Sequence, residues 1–166
     1  MKRSSYQIRA QKFVRQIAPF LAACTEPDEY EEAVCRYNFM YHRKVICAHG
    51  LTRIALITSD YVIKFEYGDM STVFGGCEDE LSLYEQAEQE GFDYLLARIE
   101  KFSYLNSNFY IMPRIHGLYR KEENATEYMT EQELDWCDEH GLSDLHNGNY
   151  GWKNGHVVLI DYAARC

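Results

Sequence analysis

The sequence has no apolar run approaching the roughly 20 residues that a membrane-spanning helix needs. Its start carries no charged–apolar–small signal pattern, because Gln7, Arg9, Gln11, Lys12, Arg15 and Gln16 interrupt the apolar residues. No Cys-x-x-Cys pair exists among the six cysteines, and Cys35, His42, Cys47 and His49 fit no common zinc spacing. Reduced thiols and no zinc are therefore expected. There is no internal repeat. Positive charge is scarce: Lys plus Arg 17 stand against Asp plus Glu 26, a formal net charge of −9 with a pI near 5.1. That balance argues against a nucleic-acid binder held by phosphate neutralisation. What is present suffices for a core, since 46% of the residues are hydrophobic and 14% aromatic. Disordered and low-complexity classes are excluded. At 166 residues the chain fits one domain, or two small lobes sharing an interface. The expectation is a soluble, cytoplasmic protein with neither membrane nor nucleic acid among its partners.

The first 25 residues carry Lys2, Arg3, Arg9, Lys12 and Arg15 and no acid. Phe13, Val14, Ile17, Phe20 and Leu21 recur at helical spacing, giving an amphipathic helix with a basic outer face. A solvated face is the plain reading, and a dock for an acidic protein partner or substrate the sharper one. Thr25 is placed to cap a second helix that begins at Pro27, with Tyr30, Val34, Tyr37 and Tyr41 as its apolar stripe. Arg53–Thr58 and Tyr61–Tyr67 then read as a hairpin turning at Ser59-Asp60. Gly68 to Gly76 is a loop. Cys77 to Glu90 is a helix stopped by Gly91, with Glu80, Tyr84 and Ala87 on one face. A strand pair containing Asn108–Met112 ends at Pro113. Thr130 and Glu133 form a capping box for a short helix closed by Gly141. Asn154-Gly155 between apolar runs signals a second hairpin. The acidic run from Glu122 to Glu139 reads as a solvated face, with a cationic ligand as the alternative.

The densest chemistry lies in Leu142-Ser143-Asp144-Leu145-His146-Asn147-Gly148-Asn149, followed by Ile160-Asp161-Tyr162. A tight hairpin returns the chain to its start, so Asn149 and Asp161 are expected as neighbours. Their oxygens are hard ligands, suited to Mg²⁺, which takes few protein ligands and completes its shell with phosphate. Lys64 supplies a point charge for phosphate. The plain alternatives are ordinary turn residues at Asp144 and Asn149, and at Lys64 an edge-strand lysine that guards against aggregation.

Taken together, these residues resemble the protein-kinase-like superfamily, in particular its aminoglycoside-phosphotransferase and small-molecule-kinase branch. The likeness spans about residues 48 to 163. Val62-Ile63-Lys64 resembles the phosphate-lysine strand. Tyr110-Ile111-Met112-Pro113-Arg114 resembles the strand and hinge, placing Met112 beside a nucleotide. Asp144-Leu145-His146-x-x-Asn149 resembles the catalytic loop, and Asp161-Tyr162-Ala163 stands where kinases have Asp-Phe-Gly. The resemblance implies ATP and Mg²⁺ as cofactors. It implies that Lys64 contacts phosphates and is paired with Glu80, with Glu78 as the alternative, and that Asn149 and Asp161 hold the metal. The resemblance further implies that Asp144 orients the acceptor hydroxyl and takes its proton, while His146 is expected to tie the loop to the core.

The chain departs from the pattern in having only Gly50 in the turn where kinases have a Gly-rich phosphate cradle. It also lacks the glycine after Asp161-Tyr162. The expected fold class is α+β. It comprises an N-terminal helical extension (1–45), a kinase-like N-lobe of antiparallel sheet plus helix (46–113), and a strongly reduced C-lobe (114–166) ending just after the Asp-Phe-Gly-like position. Two functions follow: an ATP-dependent phosphotransferase acting on a hydroxyl, or a pseudokinase-type module that binds nucleotide or a partner without transfer.

Overall fold

The computed structural model describes residues 4–50, 52–67, 76–116, 124–143, 145–146 and 148–162. Lys2, Arg3, most of the 68–76 loop, Glu122, Glu123, Asp144 and Ala163 lie outside the described residues. The fold is mixed α and β, with an antiparallel sheet and four α-helices among the described residues. Packing divides it into two compact units, one formed by Met1–Cys77 with Ile99–Arg114, the other by Glu78–Arg98 with Ile115–Cys166.

The first unit opens with helix α1 (Ser5–Leu21), which buries Ala10, Phe13, Val14, Ile17 and Leu21. Arg9, Lys12 and Arg15 stay exposed on its other side, as the 3.6-residue period requires. Helix α2 (Pro27–Tyr41) buries Tyr30, Val34 and Tyr37, and Tyr37 meets Phe13 and Phe20 edge-on at 5.4 and 5.7 Å. Tyr41, the last of the expected stripe, is 45% exposed because the helix ends there. The cap also differs from expectation by one residue. Glu26 is the N-cap of α2, while Thr25 precedes it and donates its N–H to Glu29 Oε2 at 2.6 Å. The carboxylate of Glu29 also accepts from Glu26 N–H at 3.1 Å, and these bonds hold its pKa below the usual range.

Five strands follow: β1 (Ile46–His49), β2 (Arg53–Ile57), β3 (Tyr61–Glu66), β4 (Glu100–Tyr104) and β5 (Ser107–Pro113). They form one antiparallel sheet in the order β1-β2-β3-β5-β4. The sequence reading did not anticipate β1, a strand of only four residues that begins one residue after the polar His42-Arg43-Lys44. The sheet's two faces follow from the two-residue period of its strands. Ile54, Leu56, Tyr61, Ile63, Phe65, Phe109 and Ile111 join the buried faces of α1 and α2 in one core cluster. Val62, Lys64, Tyr110 and Met112 alternate with them and point to the opposite face.

In the second unit, helix α3 (Cys77–Glu90) buries Leu83, Tyr84 and Ala87 and ends at Gly91, whose φ of +83° suits a glycine. Helix α4 (Glu131–Glu139) begins with the expected capping box at Thr130 and Glu133. Trp136 of α4 stacks on Phe92 and donates its indole N–H to Glu90 Oε2 at 2.6 Å. Strands β6 (Tyr150–Lys153) and β7 (His156–Leu159) form the second hairpin. Asn154 and Gly155 at its tip have φ of +54° and +88°, the left-handed pair that this turn demands.

Candidate functional site

In the first unit, Lys64 sits on β3, the central strand of the five, paired with Ala55 on β2 and Tyr110 on β5. A central strand has no edge to guard, so the aggregation-guard reading does not apply. The ammonium-bearing side chain is 7% exposed, unusual for lysine. Its cross-strand neighbour on β2 is the small Ala55. Met112 lies opposite Val62, so it shares this face with Lys64, two cross-strand pairs along, and is 1% exposed. Tyr61 pairs with Pro113, and Arg114 is fastened beyond it by its N–H to Asp60 O at 3.0 Å and by Nη1 to Thr58 O at 2.7 Å.

Gly50 lies in the β1–β2 turn. Its N–H donates to Arg53 O at 2.9 Å and its carbonyl accepts from the Tyr67 hydroxyl at 2.7 Å. That amide is committed to the turn, so any close approach to phosphate at Gly50 rests on its missing side chain.

In the second unit, Glu80 in the first turn of α3 is 0% exposed, whereas Glu78 is exposed. A fully buried carboxylate requires a compensating charge or several hydrogen bonds. Burial thus separates Glu80 from the solvated acids Glu85, Glu88 and Glu90 on the same helix.

The β6–β7 hairpin fixes the neighbouring pair. Tyr150 is opposite Leu159, and the ladder continues one step outward, where Ile160 N–H donates to Asn149 O at 2.8 Å. Asp161, the next residue, is therefore held at the hairpin's open end beside Asn149. The loop leading in is braced locally. Asn149 N–H donates to His146 O at 2.9 Å, and Gly148 N–H donates to His146 Nδ1 at 2.9 Å. A Cβ at Gly148 would come within 2.8 Å of His146 Cε1, so glycine lets the ring close on the amide. His146 is itself exposed. Asp144 lies outside the described residues. Beside it, Leu145 N–H donates to Ser143 O and Leu145 O accepts from Ala125 N–H at 3.0 Å.

One contributor escaped the sequence reading. Tyr162 is buried and donates its hydroxyl to Ala97 O at 2.7 Å, while Ala97 N–H donates to Leu159 O at 2.8 Å. The segment around Asp161 is thus clasped to the strand-like 96–97 stretch from both sides. A tyrosine in place of phenylalanine was the available signal.

As donors, Asn149 and Asp161 provide an amide oxygen and a carboxylate, both hard. Among the described residues no three His, Cys, Asp or Glu side chains converge as a metal-holding group. An amide oxygen and a carboxylate are donor types that a hard cation takes.

No protein-family model matches the chain. No curated protein matches it. Among solved structures, the co-crystal structure of WbdD and the kinase inhibitor LY294002 is a weak neighbour, with TM-score 0.37 and 21% identity. The match covers 70% of this chain and 31% of that one, so this chain spans under a third of that protein's length. Among the described residues no helix is long and apolar enough to cross a membrane.

Proposed function

We propose that this chain is a kinase-like phosphotransferase that binds MgATP and passes the γ-phosphoryl group to a hydroxyl acceptor. The observation that carries the reading is the hairpin register, in which Asn149 bonds Ile160, so that an amide and a carboxylate residue lie one position apart across the open end of one hairpin. The burial of Lys64 on the core-remote face of the central strand supports it, because a desolvated ammonium attracts phosphate more strongly than a surface one.

In this reading Lys64 contacts the α- and β-phosphates, with Glu80 as its charge partner. Met112 lines the base, and Gly50 leaves the approach to the phosphates open. Asn149 and Asp161 hold Mg²⁺, which supplies charge neutralisation on the phosphates when bound. Asp144 accepts the proton of the acceptor hydroxyl as its oxygen bonds to the γ-phosphorus. The bond from that phosphorus to the β–γ bridging oxygen breaks, and ADP departs with the electron pair. Little else is required, since phosphoryl transfer depends mainly on positioning and charge.

Thermal denaturation with and without millimolar MgATP tests the proposal. The wild type is expected to melt higher with MgATP, by about 2.7 kcal/mol of added stability at a hundredfold excess over Kd. Asp161→Ala abolishes the shift. Asp144→Ala keeps the shift but loses release of γ-phosphate. No shift in the wild type refutes nucleotide binding. A shift without turnover in the wild type would make the chain the pseudokinase-type regulatory module instead.

A further inference from the structure

On the other face of the sheet, between α1, the end of α2 and the β2–β3 turn, lies a cavity of about 490 Å³. Four permanent cations line it (Arg9, Lys12, Arg43 and Lys44) against one carboxylate, Asp60. In a chain of net charge −9 this is a concentrated reversal of sign. Arg9 is bonded to Asp60 at 2.8 Å. Among the described residues, no carboxylate engages Lys12, Arg43 or Lys44.

The backbone that carries two of these cations is also held in place. His42, in the left-handed region at φ +50°, ends α2, and its N–H and that of Arg43 both donate to Asn38 O. The Asn38 side chain then clamps Val45, donating Nδ2 to Val45 O at 2.8 Å and accepting Val45 N–H on Oδ1 at 3.0 Å. Arg43 and Lys44 are therefore strung between two fixed points. Across from them, Thr58 Oγ1 accepts the N–H groups of Asp60 and Tyr61, which stiffens the turn. The floor is aromatic, formed by Phe13, Tyr37 and Tyr61, all buried. Burial pushes both the Tyr37 and Tyr61 hydroxyls up, and the charge of Arg43 opposes that effect in each.

We infer that this cavity binds a small phosphorylated ligand carrying at least two negative charges. Its volume is that of a small-molecule site. Three uncommitted cations around one hollow match a dianion or diphosphate, with arginine's fork suited to phosphate oxygens. The site lies on the α1–α2 face of β3, where Tyr61 points, and Lys64 alternates to the other face, so it is separate from the nucleotide site proposed above.

The test is calorimetric titration with inorganic pyrophosphate at low salt in EDTA. One equivalent is expected to bind the wild type. Arg43→Ala/Lys44→Ala weakens binding by at least about tenfold, Lys12→Ala weakens it severalfold, and Lys64→Ala leaves it unchanged. The MgATP shift of the Arg43/Lys44 variant should match the wild type, which separates failure here from failure of the nucleotide reading. All three cavity side chains are exposed, and Lys12→Ala is read alone if the double variant loses its fold. Absence of binding at millimolar pyrophosphate overturns the inference. So does equal binding by the cavity variants, loss of binding in Lys64→Ala, or tighter binding of a hexaglutamate peptide, which would make the cavity a dock for acidic protein segments.

Discussion

Replacing Tyr162 by Phe removes a single oxygen and opens no cavity of consequence, which makes the cost calculable. The hydroxyl is 2.7 Å from Ala97 O, Tyr162 is 3% exposed and Ala97 is 1% exposed. The lost bond leaves a carbonyl that water cannot reach, and such a group costs about 1–3 kcal/mol. At this chain length each kcal/mol corresponds to about 2–4 °C in Tm. A fall of about 2–12 °C is therefore expected, with a matching fall in urea midpoint. Tyr41→Phe, at a position 45% exposed, serves as the control and should stay within about 0.5 kcal/mol of wild type. The same clasp positions the backbone next to Asp161, so Tyr162→Phe should also weaken MgATP binding severalfold by the thermal-shift titration. A stability loss no larger than the control's would refute the claim that the clasp orders this end of the hairpin. A normal stability loss with unchanged MgATP affinity would detach the clasp from the site.

Two other expectations concern the first unit. Burial pushes the Tyr61 phenol up to about 12, so the folded state favours its neutral form. Its stabilisation is full below pH about 10 and is lost as pH rises towards 12, by at most about 2–3 kcal/mol; urea titrations at pH 9 and 11 should show Tyr61→Phe losing correspondingly less than wild type, and parallel losses would refute the assignment. Leu105 and Asn106 form the β4–β5 turn with φ of +49° and +61°, and Leu105, 58% exposed, pays a left-handed backbone cost for no packing return. Leu105→Asn should stabilise by about 0.5–1 kcal/mol in the same assay, and a loss would show that the leucine is doing unseen packing.

Most regular elements were legible because their signals are local. The i, i+3, i+4 apolar spacing of α1, the Thr130–Glu133 box and the Asn154-Gly155 turn each contain the physics that forms them within a few residues. β1 was missed because four residues of strand, Ile46–His49, are too few to show a period. The Leu105-Asn106 turn was illegible for the opposite reason, since leucine gives no hint of positive φ. At the candidate site, the neighbourhood of Asn149 and Asp161 could be read from the hairpin alone. The Tyr162–Ala97 bond spans 65 positions, and the convergence of Arg9 with Arg43 depends on tertiary packing, so neither leaves a trace in spacing.

Strand β3 serves both the core and the candidate site. Tyr61, Ile63 and Phe65 fill the core against α1 and α2, while Lys64 points the other way. A slip of one residue would exchange the faces and drive an ammonium into an apolar cluster, at a desolvation cost of several kcal/mol. Register is held at the hairpin by Thr58, which accepts from Tyr61 N–H and donates its hydroxyl to Tyr61 O, and across β5 by Arg114 bonding Asp60 and Thr58. The apolar residues that stabilise the fold thus fix which face carries Lys64. A buried lysine in that position is a consequence of the core's own pattern and requires no separate device to aim it.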